Sequence, residues 1–131
     1  IADVTTSLDN VQTSEVTRHV ESFVDDLSNW YVRRSRRRFW KSEGDEDKLS
    51  AYQTLHRVLT TLSQLVAPVI PFTAEAMYQN LKTVIADAPQ SVHLCPWPQV
   101  DESLRNDALI EEVQGVLQCV SLGHAARKDS G

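Results

Sequence analysis

Long apolar runs are missing from this 131-residue chain. None approaches the roughly 18 consecutive apolar residues that a membrane-spanning helix needs, so no span is expected. Cysteine is scarce. Cys95 and Cys119 lie far apart without a CxxC spacing, which argues against a disulfide framework and for a reducing compartment, so a cytoplasmic location is expected. Glycine and proline are also few, at four and five, and most of them stand where a helix should stop. There is no Gly-rich phosphate loop, no GxSxG elbow and no Cys/His nucleophile context, so no catalytic residue is assigned and a self-sufficient active site is not expected. The first residues, Ile1-Ala2-Asp3, carry no initiating methionine, basic n-region or apolar h-region, so they are not expected to be a signal peptide. With the other end at Lys128-Asp129-Ser130-Gly131, the expectation is a piece of something longer.

What is present is helical spacing almost throughout. The 41% apolar and 24% charged content is that of a soluble globular protein, and the length suits one domain with one core, residues 1–131. Val16, Val20, Phe23, Leu27 and Trp30 make one stripe over a first segment, Ser14 to Lys41, with Thr13 as its N-cap and room for a break or bend. Ala51, Leu55, Val58, Leu62 and Leu65 make a second over Asp45 to Val66, ended by Pro68 and Pro71. A third segment starts at Thr73, with Phe72 and Met77 at hydrophobic-staple spacing, and runs to Ile85. Residues 86–100 read as a connection, in which Ser91-Val92-His93-Leu94 alternates as an extended stretch would. A fourth segment, Glu102 to Arg127, puts Leu109, Val113, Val116, Leu117, Val120 and His124 on one face. The expected architecture is all-α, an antiparallel bundle of about four main helices with one extended connection.

Charge is unevenly placed. The chain has a net charge of −5, yet Arg33, Arg34, Arg36, Arg37, Arg38 and Lys41 fall within nine residues that hold no acid. Setting those six positives aside leaves −11 on the rest. A cationic island on an anionic body is an address for a phosphate backbone. Continued at unchanged period, the apolar stripe of the first segment runs on through Arg34, Arg38 and Lys41, so Arg34 and Arg38 are either structural or RNA-binding. Arg33, Arg36 and Arg37 point off the stripe. These three, with Lys41 at the helix end, are the expected phosphate contacts. Trp40 is the best stacking candidate, although Trp30, Tyr31, Phe39 and Trp40 fit packing roles better as a group. The other reading is internal neutralisation, with Glu43, Asp45, Glu46 and Asp47 folded back onto the arginines in a helical interaction or structural module.

Other constellations carry little. His93-Leu94-Cys95 matches no zinc signature, and no metal is expected. His124 on an apolar face reads as a satisfied, partly buried histidine. Asp25 and Asp26 point about 100° apart on a helix and do not share a site.

The block Asn29-Trp30-Tyr31-Val32-Arg33-Arg34-Ser35-Arg36, with Arg38-Phe39-Trp40, resembles the anticodon-binding domain of isoleucyl-tRNA synthetases, which belong to class I. Phe23-Val24-Asp25-Asp26-Leu27-Ser28, Tyr52-Gln53-Thr54-Leu55, Ala67-Pro68-Val69-Ile70-Pro71-Phe72-Thr73-Ala74-Glu75 and Ser91-Val92-His93-Leu94 with Trp97-Pro98 are similar to further stretches of that family. The resemblance implies a helical bundle that docks on the anticodon stem-loop of isoleucine tRNA. The implied partners are that tRNA and the remaining domains of a synthetase, not a membrane. The family joins isoleucine to its tRNA with ATP, through an adenylate. Its catalytic signatures and editing domain are absent from these residues, so the implied role is tRNA binding, not an enzyme by itself, and ATP belongs to the parent protein.

Overall fold

The computed structural model describes residues 1–40 and 45–129. Among them there is no strand, and the chain is all-α, as expected. The helices are α1 (Ala2–Asp9), α2 (Thr13–Asp26), α3 (Arg33–Trp40), α4 (Asp45–Val66), α5 (Pro71–Leu81) and α6 (Asp107–Asp129), with a π-helical segment at Leu27–Val32. Short 3₁₀ turns cover Lys82–Val84, Val92–Leu94 and Glu102–Leu104. Two compact units divide the chain, Ile1–Val100 and Asp101–Gly131.

The first unit is built around α4. Leu62, Val66 and Ala67 pack with Ala74, Tyr78 and Val92, and Val20 and Cys95 close over them. Val4, Val16 and Leu65 form a second cluster, covered by Leu8, Val20, Val69 and Trp97. Periodicity finds most of these positions in α2 and α4 but misses α1 altogether. That helix is eight residues long and is held by contact with α2, with Val4 and Ser7 buried. A short helix of this kind owes its stability to packing rather than to propensity.

Local chemistry moves several boundaries. Helix α5 begins at Pro71, not Thr73, because the fixed φ and missing N–H of proline suit the first helical position. Phe72 is then 89% exposed, so no hydrophobic staple forms. Thr13 is the first residue of α2, and Gln12 occupies the cap position. Val92–Leu94 is a 3₁₀ turn instead of an extended stretch, closed by the Ser91 hydroxyl, which accepts from the His93 N–H at 3.2 Å.

The connection that follows α5 is tied down by one carboxylate. Glu75 accepts from Gln79 Nε2 at 2.6 Å, from Ser91 Oγ at 2.9 Å and from the Val92 N–H at 2.9 Å. These bonds hold its carboxyl below the usual glutamate range, the Gln79 bond most strongly. Tyr78, almost wholly buried, donates to the Pro89 carbonyl at 3.1 Å, and Trp97 Nε1 donates to Thr5 Oγ1 at 2.9 Å.

The second unit holds α6. Of the face expected from its period, Val113 and Leu117 are half-buried, while Leu109, Val116, Val120 and His124 are exposed. His124 is therefore not the partly buried histidine expected; its Nδ1 lies 3.4 Å from Arg127 Nη2. Period reports which side chains share a side of a helix, not whether anything covers that side.

A candidate nucleic-acid interface on the signature helix

From Thr13 to Trp40 the backbone is helical without interruption, as α2, the π segment and α3 in turn. Its charges follow the helix dipole. Glu15, Glu21, Asp25 and Asp26 lie in the first half, and the five arginines crowd the last two turns, where cations offset the partial negative charge of the carbonyl end.

The π segment decides which of those arginines face outward. Through Leu27–Val32 the helix is wider, and the Arg33 N–H reaches back to the Ser28 carbonyl, five residues earlier. A π turn absorbs about one extra residue, so everything after it is rotated by on the order of 100° from a continuous α-helix. The inward line therefore passes through Tyr31, Ser35 and Phe39, not through Trp30, Arg34 and Arg38. Ser35 and Phe39 are buried, and Tyr31 is half-buried with its hydroxyl 3.3 Å from the Ala51 carbonyl of α4. The expected stripe is corrected by one residue. The cause is tertiary: α3 packs on α4, and the wide turn brings apolar and small side chains to that contact instead of guanidinium groups.

Each arginine thus has a defined setting. Arg33, Arg36 and Arg37 are exposed, and none of them makes an ion pair with another described residue. Arg34 is also exposed, its guanidinium carbon 4.6 Å from the centroid of the Trp30 ring, a cation–π contact. Arg38 is half-buried and bound to Asp47 of α4. Its Nε lies 3.0 Å from both carboxylate oxygens, and its Nη2 lies 2.7 Å from Oδ1. This bond raises the Arg38 pKa and lowers that of Asp47. Internal neutralisation by the acids that follow the block thus reaches Arg38 alone among the described arginines of the block. Lys41, the remaining cation of the block, lies outside the described residues, as do Glu43 and Gly44.

The aromatics split in the same way. Phe39 is 6% exposed and supports two neighbours edge-on. Trp40 lies 6.5 Å away at 88°, and Tyr52 of α4 lies 5.1 Å away at 60°. Trp40 is 73% exposed and Tyr52 48%. Arg33, Arg36, Arg37 and Trp40 stand three, four and seven residues apart, so they share one side of α3. The structure therefore brings free guanidiniums and an open indole together. Sequence spacing does not reveal Tyr52, because its place beside Phe39 exists only once α3 and α4 are paired.

Among the described residues, no three His, Cys, Asp or Glu side chains come together. A cavity of about 170 Å³ is lined by Gln64, Ala67, Pro68, Val92, His93, Cys95, Pro96 and Trp97. No lysine or arginine lines it, and it is smaller than the roughly 300 Å³ of an ordinary ligand pocket. No helix among the described residues is long and apolar enough to cross a membrane.

Comparison with known proteins bears on what reads this surface. The family described as the anticodon-binding domain of tRNA ligase matches residues 1–131. The chain belongs to that family. It is 51% identical over 128 residues to an isoleucine–tRNA ligase of Dehalococcoides mccartyi, covering 97% of this chain and 13% of that ligase. It is 50% identical over 126 residues to the isoleucine–tRNA ligase of Clostridium acetobutylicum, covering 95% and 12% respectively. The isoleucine–tRNA ligase of Thermobifida fusca is 47% identical over 131 residues, covering 100% of this chain and 12% of the ligase. This anticodon-binding domain thus spans about an eighth of the length of the curated relatives it matches.

Proposed function

We propose that residues 1–131 act as one tRNA-binding module of an isoleucine–tRNA ligase, gripping the anticodon stem-loop of isoleucine tRNA. The parent protein would couple isoleucine to that tRNA in the cytoplasm at the expense of ATP. Amino-acid activation and ATP binding would fall to its other domains, the second set of partners. The observation that carries this reading is the exposed stripe of Arg33, Arg36 and Arg37 beside Trp40, on a chain whose net charge is otherwise negative. Guanidinium groups without carboxylate partners among the described residues are available for bidentate phosphate contacts, and an open indole is available to a base. Arg34, stacked on Trp30, can add a contact at the edge of the stripe. Arg38, committed to Asp47, braces α3 against α4.

Salt-titrated binding of the chain to isoleucine tRNA tests this. Each phosphate neutralised on a single strand contributes about 0.7 to the slope of log K against log salt. Replacing Arg33, Arg36 and Arg37 together by alanine should flatten that slope by about 2 and weaken binding at low salt. Preference for the isoleucine tRNA over a non-cognate one should accompany tight binding. A triple variant that binds as the parent chain does would refute the assignment. Equal, weak binding to both tRNAs would confine the module to backbone contacts.

A further inference from the structure

The aromatic corner at the end of α3 has more open ring surface than a phosphate grip uses. We propose that Tyr52 of α4 is a second base-stacking residue of this surface, paired with Trp40. The inference rests on the reading of the chain as an RNA-binding module and deepens it.

Three observations lead there. Trp40 and Tyr52 come from different helices yet both rest edge-on against the same buried ring, Phe39, at centroid distances of 6.5 and 5.1 Å. The buried ring backs each neighbour along one edge, which removes part of the side-chain freedom that would otherwise be lost when a base settles on them. Both keep open surface, at 73% and 48% exposure. Finally, Trp40 lies four residues after Arg36 and three after Arg37, so ring and cation sit about one helical turn apart on the same side. Phosphate ligands next to open aromatic faces are the elements of single-strand recognition. A paired stem hides its base faces and offers such rings nothing to stack on.

The test separates stacking from charge. The chain is titrated with a labelled hairpin RNA that carries the anticodon loop of isoleucine tRNA, and with a blunt duplex of the same stem. Tyr52→Leu keeps an apolar cover on Phe39 but removes the π face, whereas Tyr52→Phe keeps both; Trp40→Leu treats the other ring. Tyr52→Leu and Trp40→Leu should each weaken hairpin binding by about tenfold while leaving the salt slope and duplex binding unchanged. Tyr52→Phe should bind like the parent chain. Melting curves establish that the variants are folded, and if Tyr52→Leu is not, Tyr52→Met, which keeps an apolar cover on Phe39 without a π face, takes its place with the same expected loss and the same refuting result. The proposal is overturned by unchanged hairpin affinity in a folded Tyr52→Leu or in Trp40→Leu, by equal losses on duplex and hairpin, or by a Tyr52→Phe loss matching that of Tyr52→Leu. Failure of the unaltered chain to bind either RNA would instead overturn the RNA-binding reading itself.

Discussion

Replacing Phe39 by alanine tests the rotated register of the signature helix. In a continuous α-helix the inward positions after Trp30 would be Arg34 and Arg38, and Phe39 would lie to one side. With the π segment at Leu27–Val32, Phe39 points inward and is 6% exposed. Truncating a buried phenylalanine costs about 3–5 kcal/mol, the transfer term plus the cavity left behind. Tyr52, 48% exposed, sits at the margin of this contact and can settle into part of the space, so a value near the lower end, about 3 kcal/mol, is expected. Trp40 is the internal control. It is 73% exposed, so of roughly 200 Å² of side-chain surface only about 50 Å² is covered, worth about 1 kcal/mol at about 25 cal/mol per Å². Arg34→Ala should change stability by no more than about 1 kcal/mol, the value of an exposed cation–π contact. Urea unfolding followed by circular dichroism resolves these differences. Phe39→Ala should also lower the melting temperature by on the order of 10 °C. A Phe39→Ala cost below about 1 kcal/mol, together with a larger cost for Arg34→Ala, would refute the register.

Three further outcomes follow from single residues. Glu75 has a lowered carboxyl pKa in the fold, so its bonds to Gln79, Val92 and Ser91 stabilise the chain above its ordinary value of 4.5, and that contribution is lost as pH falls through the lower folded value. Glu75→Gln should therefore flatten the dependence of stability on pH in the acid range, as measured by urea unfolding between about pH 5 and 2. Burial pushes the Tyr78 hydroxyl up to about 12 from 10, so its contribution is complete below pH 10 and lost between 10 and about 12; Tyr78→Phe should lose about 1 kcal/mol at neutral pH and show a weaker alkaline decline. Val11 is held at φ 57°, a left-handed conformation that is costly for a β-branched residue. Val11→Gly should raise stability by about 0.5–1 kcal/mol, read as a higher melting temperature, with the entropy of glycine offsetting part of the relieved strain.

Most of the helical framework was legible from the sequence, because a helix that buries one side repeats its apolar residues at a fixed period. That signal places α4 at Asp45–Val66 and carries α2 and α3 to Trp40. It fails where packing, not period, makes the element. Helix α1 is too short to show a stripe, and Val92–Leu94 folds into a 3₁₀ turn because Glu75 and Ser91 bind its backbone. The covered and open sides of α6 were likewise beyond the reach of its period.

The binding surface divides along the same line. By itself the sequence determined that the chain is all-α, that its positive charge is concentrated in one block, and that this block follows the pattern of the tRNA-ligase anticodon-binding family; composition and order carry all three. Helical spacing already set Arg33, Arg36 and Arg37 off the apolar stripe; the tertiary structure decided between the two remaining described arginines of the block, leaving Arg34 open and pairing Arg38. A π turn of six residues rotates the block by about one position, placing Ser35 and Phe39 against α4, Arg38 on Asp47, and Arg33, Arg36, Arg37 and Trp40 toward solvent. The physical reason is that a helix period is a local property, whereas the choice between an α and a π turn is settled by which side chains can be buried against a neighbouring helix, and that neighbour is supplied by residues further along the chain.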